Sequence, residues 1–149
     1  MPPLGKEMIA AGRPGDAERF YQAMLDTMPE YSRIKLGYGL VCGLNGYVDK
    51  GLNLMQELGA EDSSVVLEDA VLFLARHLLA FSKAEDALAV CEFGAREFPD
   101  SYRSYMYLAE AYELQGDVDK ALENCRRAIE LNPGSKWLVE LQERLEEQE

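Results

Sequence analysis

Apolar and polar positions follow a helical period in two adjacent stretches near the C-terminal end of the chain. Apolar and small residues share one face over 103–115 and again over 118–131, where Asn132 and Pro133 end the pattern. Residues three and four positions apart lie on the same side of a helix, so each stretch predicts an amphipathic helix with one face toward a core. The two patterns meet near Gly116 and together predict a helix–turn–helix segment over 102–133.

This pattern repeats at a fixed distance along the chain. When the sequence is moved by 34 residues, several positions coincide in kind, and they are the pairs Leu74 and Leu108, Ala75 and Ala109, Leu78 and Tyr112, Ala87 and Ala121, Leu88 and Leu122, Cys91 and Cys125, and Pro99 and Pro133. Chance rarely aligns so many positions at one offset. The chain is therefore predicted to contain internal structural repeats.

The repeated segment resembles a known family. Its Tyr105-x-x-Leu108-Ala109-x-x-Tyr112 motif, followed by Ala121, Cys125 and Pro133, resembles the tetratricopeptide repeat (TPR), a helix–turn–helix unit of 34 residues. Tyr105 replaces the family's Trp, Ala109 its Gly and Cys125 its Phe. The resemblance covers roughly 15–133 and implies an all-α fold, a right-handed α-solenoid of TPR units with a C-terminal capping helix.

The resemblance also implies how the chain is divided. We expect one TPR-like domain over 1–149, made of a partial unit (1–31), three units (32–67, 68–101 and 102–135) and a capping helix (136–149). The first helix of the partial unit should be short by about one turn. Helices of the third unit are expected near 65–80 and 83–97, the repeat pattern should break over 59–64, and Ser135 should cap the last helix.

Small residues mark the expected helix crossings. The first helix of the second unit contains Gly37, Gly39 and Gly43, although each interior glycine disfavours a helix by about 1 kcal/mol relative to alanine. We interpret them as allowing close approach between helices; a flexible repeat is the alternative. In each unit a small residue of the first helix should face one of the second, which gives the pairs Gly39 and Gly51, Ala75 and Ala87, and Ala109 and Ala121.

Composition narrows the classes of function. The net charge of −12 argues against binding nucleic acid or anionic lipid, because both require a basic surface. No apolar run could form a signal peptide or a membrane span, so a cytoplasmic protein is predicted. The three cysteines are expected to be buried thiols, and His77 a partly buried structural residue. No catalytic constellation, phosphate loop or zinc spacing is present, so we predict neither catalysis nor a metal or cofactor.

A binding groove is implied by the resemblance, because the first helices of TPR units line a concave surface. The residues carried over are Arg33, Leu36, Leu40, Asp69, Leu72, Phe73, Arg76, Arg103, Met106, Tyr107 and Glu110, with Gly43, Leu79 and Glu113 at the last groove positions. Leu36, Leu40, Leu72 and Met106 would form an apolar floor, and three arginines would surround it. Such a surface suits an extended or helical peptide. The alternative is that these are ordinary surface residues.

The function predicted from this groove is a non-catalytic scaffold for protein–protein interaction that binds a peptide or a partner helix. The alternative is an accessory or regulatory TPR module of a larger polypeptide, one that could include an enzyme. RNA binding by a helical repeat is a third possibility, disfavoured by the acidic charge. Self-association through the incomplete N-terminal unit is a further expectation.

Overall fold

The computed structural model describes residues 3–29, 31–62 and 66–148, with side chains from residue 7 onward. Within these ranges the chain forms nine helices and no strand, which confirms the all-α helical-repeat class. The helices are α1 (Pro3–Ala10), α2 (Pro14–Thr27), α3 (Ser32–Leu44), α4 (Val48–Glu61), α5 (Leu67–Ala80), α6 (Ala84–Glu97), α7 (Tyr102–Gln115), α8 (Val118–Leu131) and α9 (Lys136–Glu146).

The chain divides into two compact units, Met1–Leu74 and Ala75–Glu149, and the division falls inside α5. In unit 1, α1 contacts α2, α2 contacts α3, and α3 contacts α4. In unit 2, α6 contacts α7, α7 contacts α8, and α8 contacts α9. The helices α1 to α4 and α6 to α9 thus pack on their neighbours in sequence, as in arrays where every repeat covers the next. The assignment of 1–149 to a single domain stays a prediction.

Most helix bounds agree with the periodicity of the sequence. The helices α7 and α8 span the predicted 102–115 and 118–131. Within the described residues the opening helix α1 has 8 residues against 14 in α2, and the partial first unit stays a prediction. The N-cap prediction is confirmed, because the Ser135 hydroxyl accepts a hydrogen bond from the Leu138 N–H at 3.4 Å. The break predicted over 59–64 begins later, since α4 continues to Glu61, and residues 63–65 lie outside the described ranges.

Backbone contact between α3 and α4 organises unit 1. A Cβ atom added to Gly51 would lie 2.6 Å from the Gly39 carbonyl oxygen and 3.0 Å from the Gly43 nitrogen. Two further glycines of α3 leave room for side chains of other helices. A Cβ on Gly37 would overlap the Tyr21 ring, and one on Gly43 would overlap the Leu74 side chain. The close-approach interpretation is therefore confirmed, and the predicted pair Gly39 and Gly51 does meet.

The core of unit 2 is built around the equivalent small residues of α7 and α8. Ala109 and Ala121 are fully buried and belong to one apolar cluster, whose other buried members are Leu122, Cys125, Leu141 and Leu145. The last two come from α9, which covers the end of this cluster as expected of a capping helix. All three cysteines are buried free thiols, as predicted, and His77 is partly buried.

Left-handed residues form the turns between paired helices. Gly12, Gly46 and Gly116 have φ angles of 69°, 90° and 82°. The turn between α5 and α6 uses Ser82 instead, with φ of 54°, and among the described residues it is the one non-glycine with a positive φ. A side chain in this conformation crowds the following carbonyl group, which costs roughly 1–2 kcal/mol.

Replacement of Gly51 by alanine should destabilise the protein, because the new Cβ meets backbone atoms that cannot rotate away. We expect a loss of at least about 1–3 kcal/mol in the free energy of unfolding, measured with urea. Gly15→Ala in α2 is the matched control, because no atom lies within 4 Å of its added Cβ. Equal unfolding midpoints for the two variants would contradict the close crossing.

Replacement of Ser82 by glycine should stabilise the protein by about 0.5–1 kcal/mol. The gain comes from relief of the left-handed strain, and the larger entropy of unfolded glycine partly offsets it. Gly116→Ser, made at the equivalent turn, should have the opposite sign. Thermal melts of both variants check this prediction, and a lower Tm for Ser82→Gly would refute it.

Candidate functional site

In unit 1 the implied groove residues differ in accessibility. Arg33 and Asp69 are exposed, and Leu36 and Phe73 are partly buried. Leu40 and Leu72, however, are only 5% and 1% exposed. The reason at Leu40 is that α3 packs against both α2 and α4, so that every residue from 37 to 44 is buried. These two leucines are core residues rather than the exposed floor that the resemblance implied.

In unit 2 the structure brings several implied groove residues together around Tyr107. On α7, Leu108, Ala109 and Ala111 are buried, whereas the groove positions Arg103, Met106, Tyr107 and Glu110 are partly buried. Burial raises the pKa of the Tyr107 phenol; the charges of Arg76 and Arg103 act to lower it, and that of Glu110 acts to raise it. Arg76, on the part of α5 in unit 2, is exposed. This face of α7 thus combines an aromatic ring, a thioether and one guanidinium group, and Arg76 on α5 adds a second guanidinium group beside the Tyr107 phenol.

A cleft of about 410 Å³ opens further along α7. Its lining residues are Leu79 from α5, Glu110, Glu113 and Leu114 from α7, and Arg144 from α9. Leu79, Glu110 and Glu113 are groove positions implied by the resemblance. The cleft falls within the range of about 300–1,000 Å³ that is usual for ligand pockets.

Both carboxylate oxygens of Glu113 accept hydrogen bonds from side chains of unit 2. Arg144 Nε donates to Glu113 Oε1 at 3.0 Å and Arg144 Nη2 donates to Oε2 at 2.7 Å, while Gln148 Nε2 donates to Oε1 at 2.8 Å. Burial acts to raise the pKa of Glu113, but the hydrogen bonds from Arg144 and Gln148 outweigh it and hold the pKa below its ordinary value. The bidentate ion pair between Arg144 and Glu113 is stronger than a single hydrogen bond, and it connects α9 to α7.

Glu110 is in the opposite situation. Within the described ranges its carboxylate forms no hydrogen bond or ion pair at contact distance. Burial raises the pKa of Glu110 to about 6; the charge of Arg144 opposes this rise and the charge of Glu113 adds to it. The guanidinium group of Arg144 is paired with Glu113, so its positive charge favours the ionised form of Glu110 only from a longer distance. The cleft therefore contains one paired and one unpaired carboxyl group.

Comparison with known proteins identifies the repeats. A family model described as tetratricopeptide repeat matches residues 72–136. These residues therefore form tetratricopeptide repeats. Comparison with curated proteins gives no match.

Solved structures show the same TPR fold. A crystal structure of MamA is 18% identical, with a TM-score of 0.60 over 99% of this chain and 85% of that chain. A MamA fragment from Desulfovibrio magneticus RS-1 is 16% identical, with a TM-score of 0.55 over 97% of this chain and 86% of the fragment. A thermophilic TPR protein of Thermus thermophilus is 20% identical, with a TM-score of 0.53 over 95% and 77% of the two chains. At these identities the likeness concerns the fold alone.

The TPR period explains one cleft residue that the groove prediction missed. Arg144 belongs to the last turn of α9, which was interpreted only as a cap. Arg144 nevertheless lies 34 residues after Glu110, one full repeat. The helix α9 therefore occupies the place of a next first helix, and its inner side lines the cleft. Applying the same offset once more beyond 135 would have found Arg144.

In the part of the chain that the structure describes, no group of three or more His, Cys, Asp or Glu side chains is placed to hold a metal ion. No described helix combines the length and the apolar character that crossing a membrane requires.

The raised pKa of Glu110 predicts a pH-dependent effect of Glu110→Gln. A carboxyl group whose pKa is higher in the folded state contributes its full stability below about pH 4.5, and this stability is lost as the pH rises through about 6. A glutamine cannot ionise, so the variant should gain about 1–2 kcal/mol at pH 8 and less toward pH 5. Urea unfolding at both values measures this, with Glu123→Gln on the exposed side of α8 as the matched control. A gain that does not grow with pH would contradict the partly buried, unpaired state of Glu110.

Proposed function

We propose that this protein is a non-catalytic interaction module that binds a peptide or a partner helix along the inner side of α7 in unit 2. The TPR fold implies protein–protein interaction in general, while the choice of surface depends on the residues of the site. The supporting observation is that α7 buries Leu108, Ala109 and Ala111 but leaves its groove positions partly open beside a cleft.

The composition of this surface supports peptide binding. Tyr, Met and Arg are enriched at protein interfaces, because each combines a large contact area with polar or polarisable groups. Tyr107, Met106 and Arg103 lie within one turn or so of each other on α7, and Arg76 from α5 is close enough to affect the Tyr107 phenol. A ligand side chain could therefore meet apolar and cationic groups at once.

The charges also favour one orientation of the ligand. Arg103 and Glu110 are separated by two turns of α7, roughly 10 Å along the helix axis. Acidic groups of a ligand should lie toward Arg76 and Arg103, away from the carboxyl groups of the cleft. In unit 1, Arg33, Leu36, Asp69 and Phe73 stay predictions as further contact residues.

The state of the thiols supports a role without catalysis. Burial raises the pKa of Cys42, Cys91 and Cys125, so that none is prepared to act as a thiolate nucleophile. The cytoplasmic location and self-association through the N-terminal unit stay predictions from the sequence.

A charge-reversal pair tests the proposed surface. Peptides selected from a random library on the purified wild-type chain should bind Arg76→Glu/Arg103→Glu at least about tenfold more weakly, a loss of about 1.4 kcal/mol, because favourable charges become repulsive. Affinities are measured by titration calorimetry.

The matched control is Arg126→Glu/Lys136→Glu, which makes the same change of net charge at exposed positions of α8 and α9. Under the proposal this control keeps nearly wild-type affinity. Equal losses for the two double variants would mean that only the overall charge matters, and unchanged binding by both would exclude the inner side of α7 as the binding surface.

A further inference from the structure

We propose that the cleft beside α7 receives a lysine or arginine side chain of the bound peptide, with Glu110 as the carboxylate that pairs with it. This inference rests on the proposed function and specifies the chemistry of the ligand. It concerns unit 2 alone, since every lining residue belongs to that unit.

The shape and walls of the cleft suit a long cationic side chain. Leu79 and Leu114 provide apolar surface, and Leu114 is 40% exposed. Lysine and arginine place their methylene groups along such surface while the charged end reaches a polar partner. A volume of about 410 Å³ accommodates the side chain together with water.

The charges select a cation over an anion. Glu113 already receives hydrogen bonds from Arg144 and Gln148, so both of its oxygens are engaged. Glu110 has no partner at contact distance among the described residues, and a partly buried carboxylate without one loses hydration that nothing replaces. A cationic ligand supplies the missing partner. An anionic ligand would face Glu110 and would have to separate Arg144 from Glu113.

The titration of Glu110 makes its pairing with a cationic ligand sensitive to pH, and the groups that surround its carboxyl group bear on that titration. They are Arg144 from α9, Glu113 and Tyr107 from α7 and the neutral thiol of Cys91 from α6, while α5 contributes the uncharged Leu79. Because the pKa of Glu110 is about 6, its carboxylate is mostly ionised at pH 7.5 and mostly protonated at pH 5. Affinity for a cation should therefore fall by about tenfold between these two values.

The test uses small probes whose only difference is the end group. Nα-acetyl-lysine amide is titrated into the isotope-labelled full chain at pH 7.5 and followed by NMR, in parallel with the norleucine and glutamate analogues. The lysine probe should shift the signals of Leu79, Glu110 and Leu114, and the norleucine probe should bind at least about tenfold more weakly. For Glu110→Gln, affinity for lysine should fall about tenfold at pH 7.5 and lose its dependence on pH, whereas Glu123→Gln should behave as wild type. Circular dichroism establishes that both variants are folded.

Three results would overturn the inference: equal binding of norleucine and lysine, unchanged lysine binding by Glu110→Gln, or no perturbation at the cleft. These failures are distinguishable from failure of the proposed function. Library peptides that bind wild type, weaken on Arg76→Glu/Arg103→Glu and ignore Glu110→Gln would retain the peptide-binding surface while removing the cation site.

Discussion

Close contact between small residues on paired helices determines much of this structure. In unit 1 the backbone of α3 touches that of α4 at Gly39 and Gly51, and in unit 2 Ala109 and Ala121 lie buried in one cluster. Helices that approach this closely leave no room for side chains at the crossing, so the larger residues pack around it. The cost of placing glycines inside α3 is offset by the contacts of Tyr21, Leu74 and α4 that they permit.

The same crossing sets which side of α7 is available for binding. Ala109 faces α8, and at about 100° per residue Tyr107 and Glu110 lie about 160° and 100° around α7 from it, so both stay outside this crossing. Met106 and Glu113 lie about 60° and 40° from Ala109, at the edge of the crossing. The helix α9 packs on the core through Leu141 and Leu145, which brings Arg144 to Glu113. The packing of α7, α8 and α9 thus explains why Glu113 is paired with Arg144 while Glu110 has no such partner. A small electrostatic asymmetry distinguishes two glutamates that are only three residues apart.

The sequence was informative where one local pattern had one structural consequence. Helical periodicity predicted α7 and α8, the alignment of repeats predicted the pair Ala109 and Ala121, and the residues around Ser135 predicted the serine cap of α9. The burial of Leu40 and Leu72 was not predictable in this way. Their groove positions were carried over from the family, whereas the number of helices that cover a position depends on the packing of this chain. The partners of Glu113 required distances across 31 and 35 residues of sequence, which no local pattern contains.

A single tryptophan gives the chain an optical property. This residue, Trp137, lies on α9, the helix whose last turn is held by the bond between Arg144 and Glu113. Its side chain is 39% exposed, so its emission depends on the local solvent. Any compound that loosens or tightens α9 against α7 will alter the environment of this one fluorophore. Intrinsic fluorescence can therefore follow this end of the protein without an attached dye.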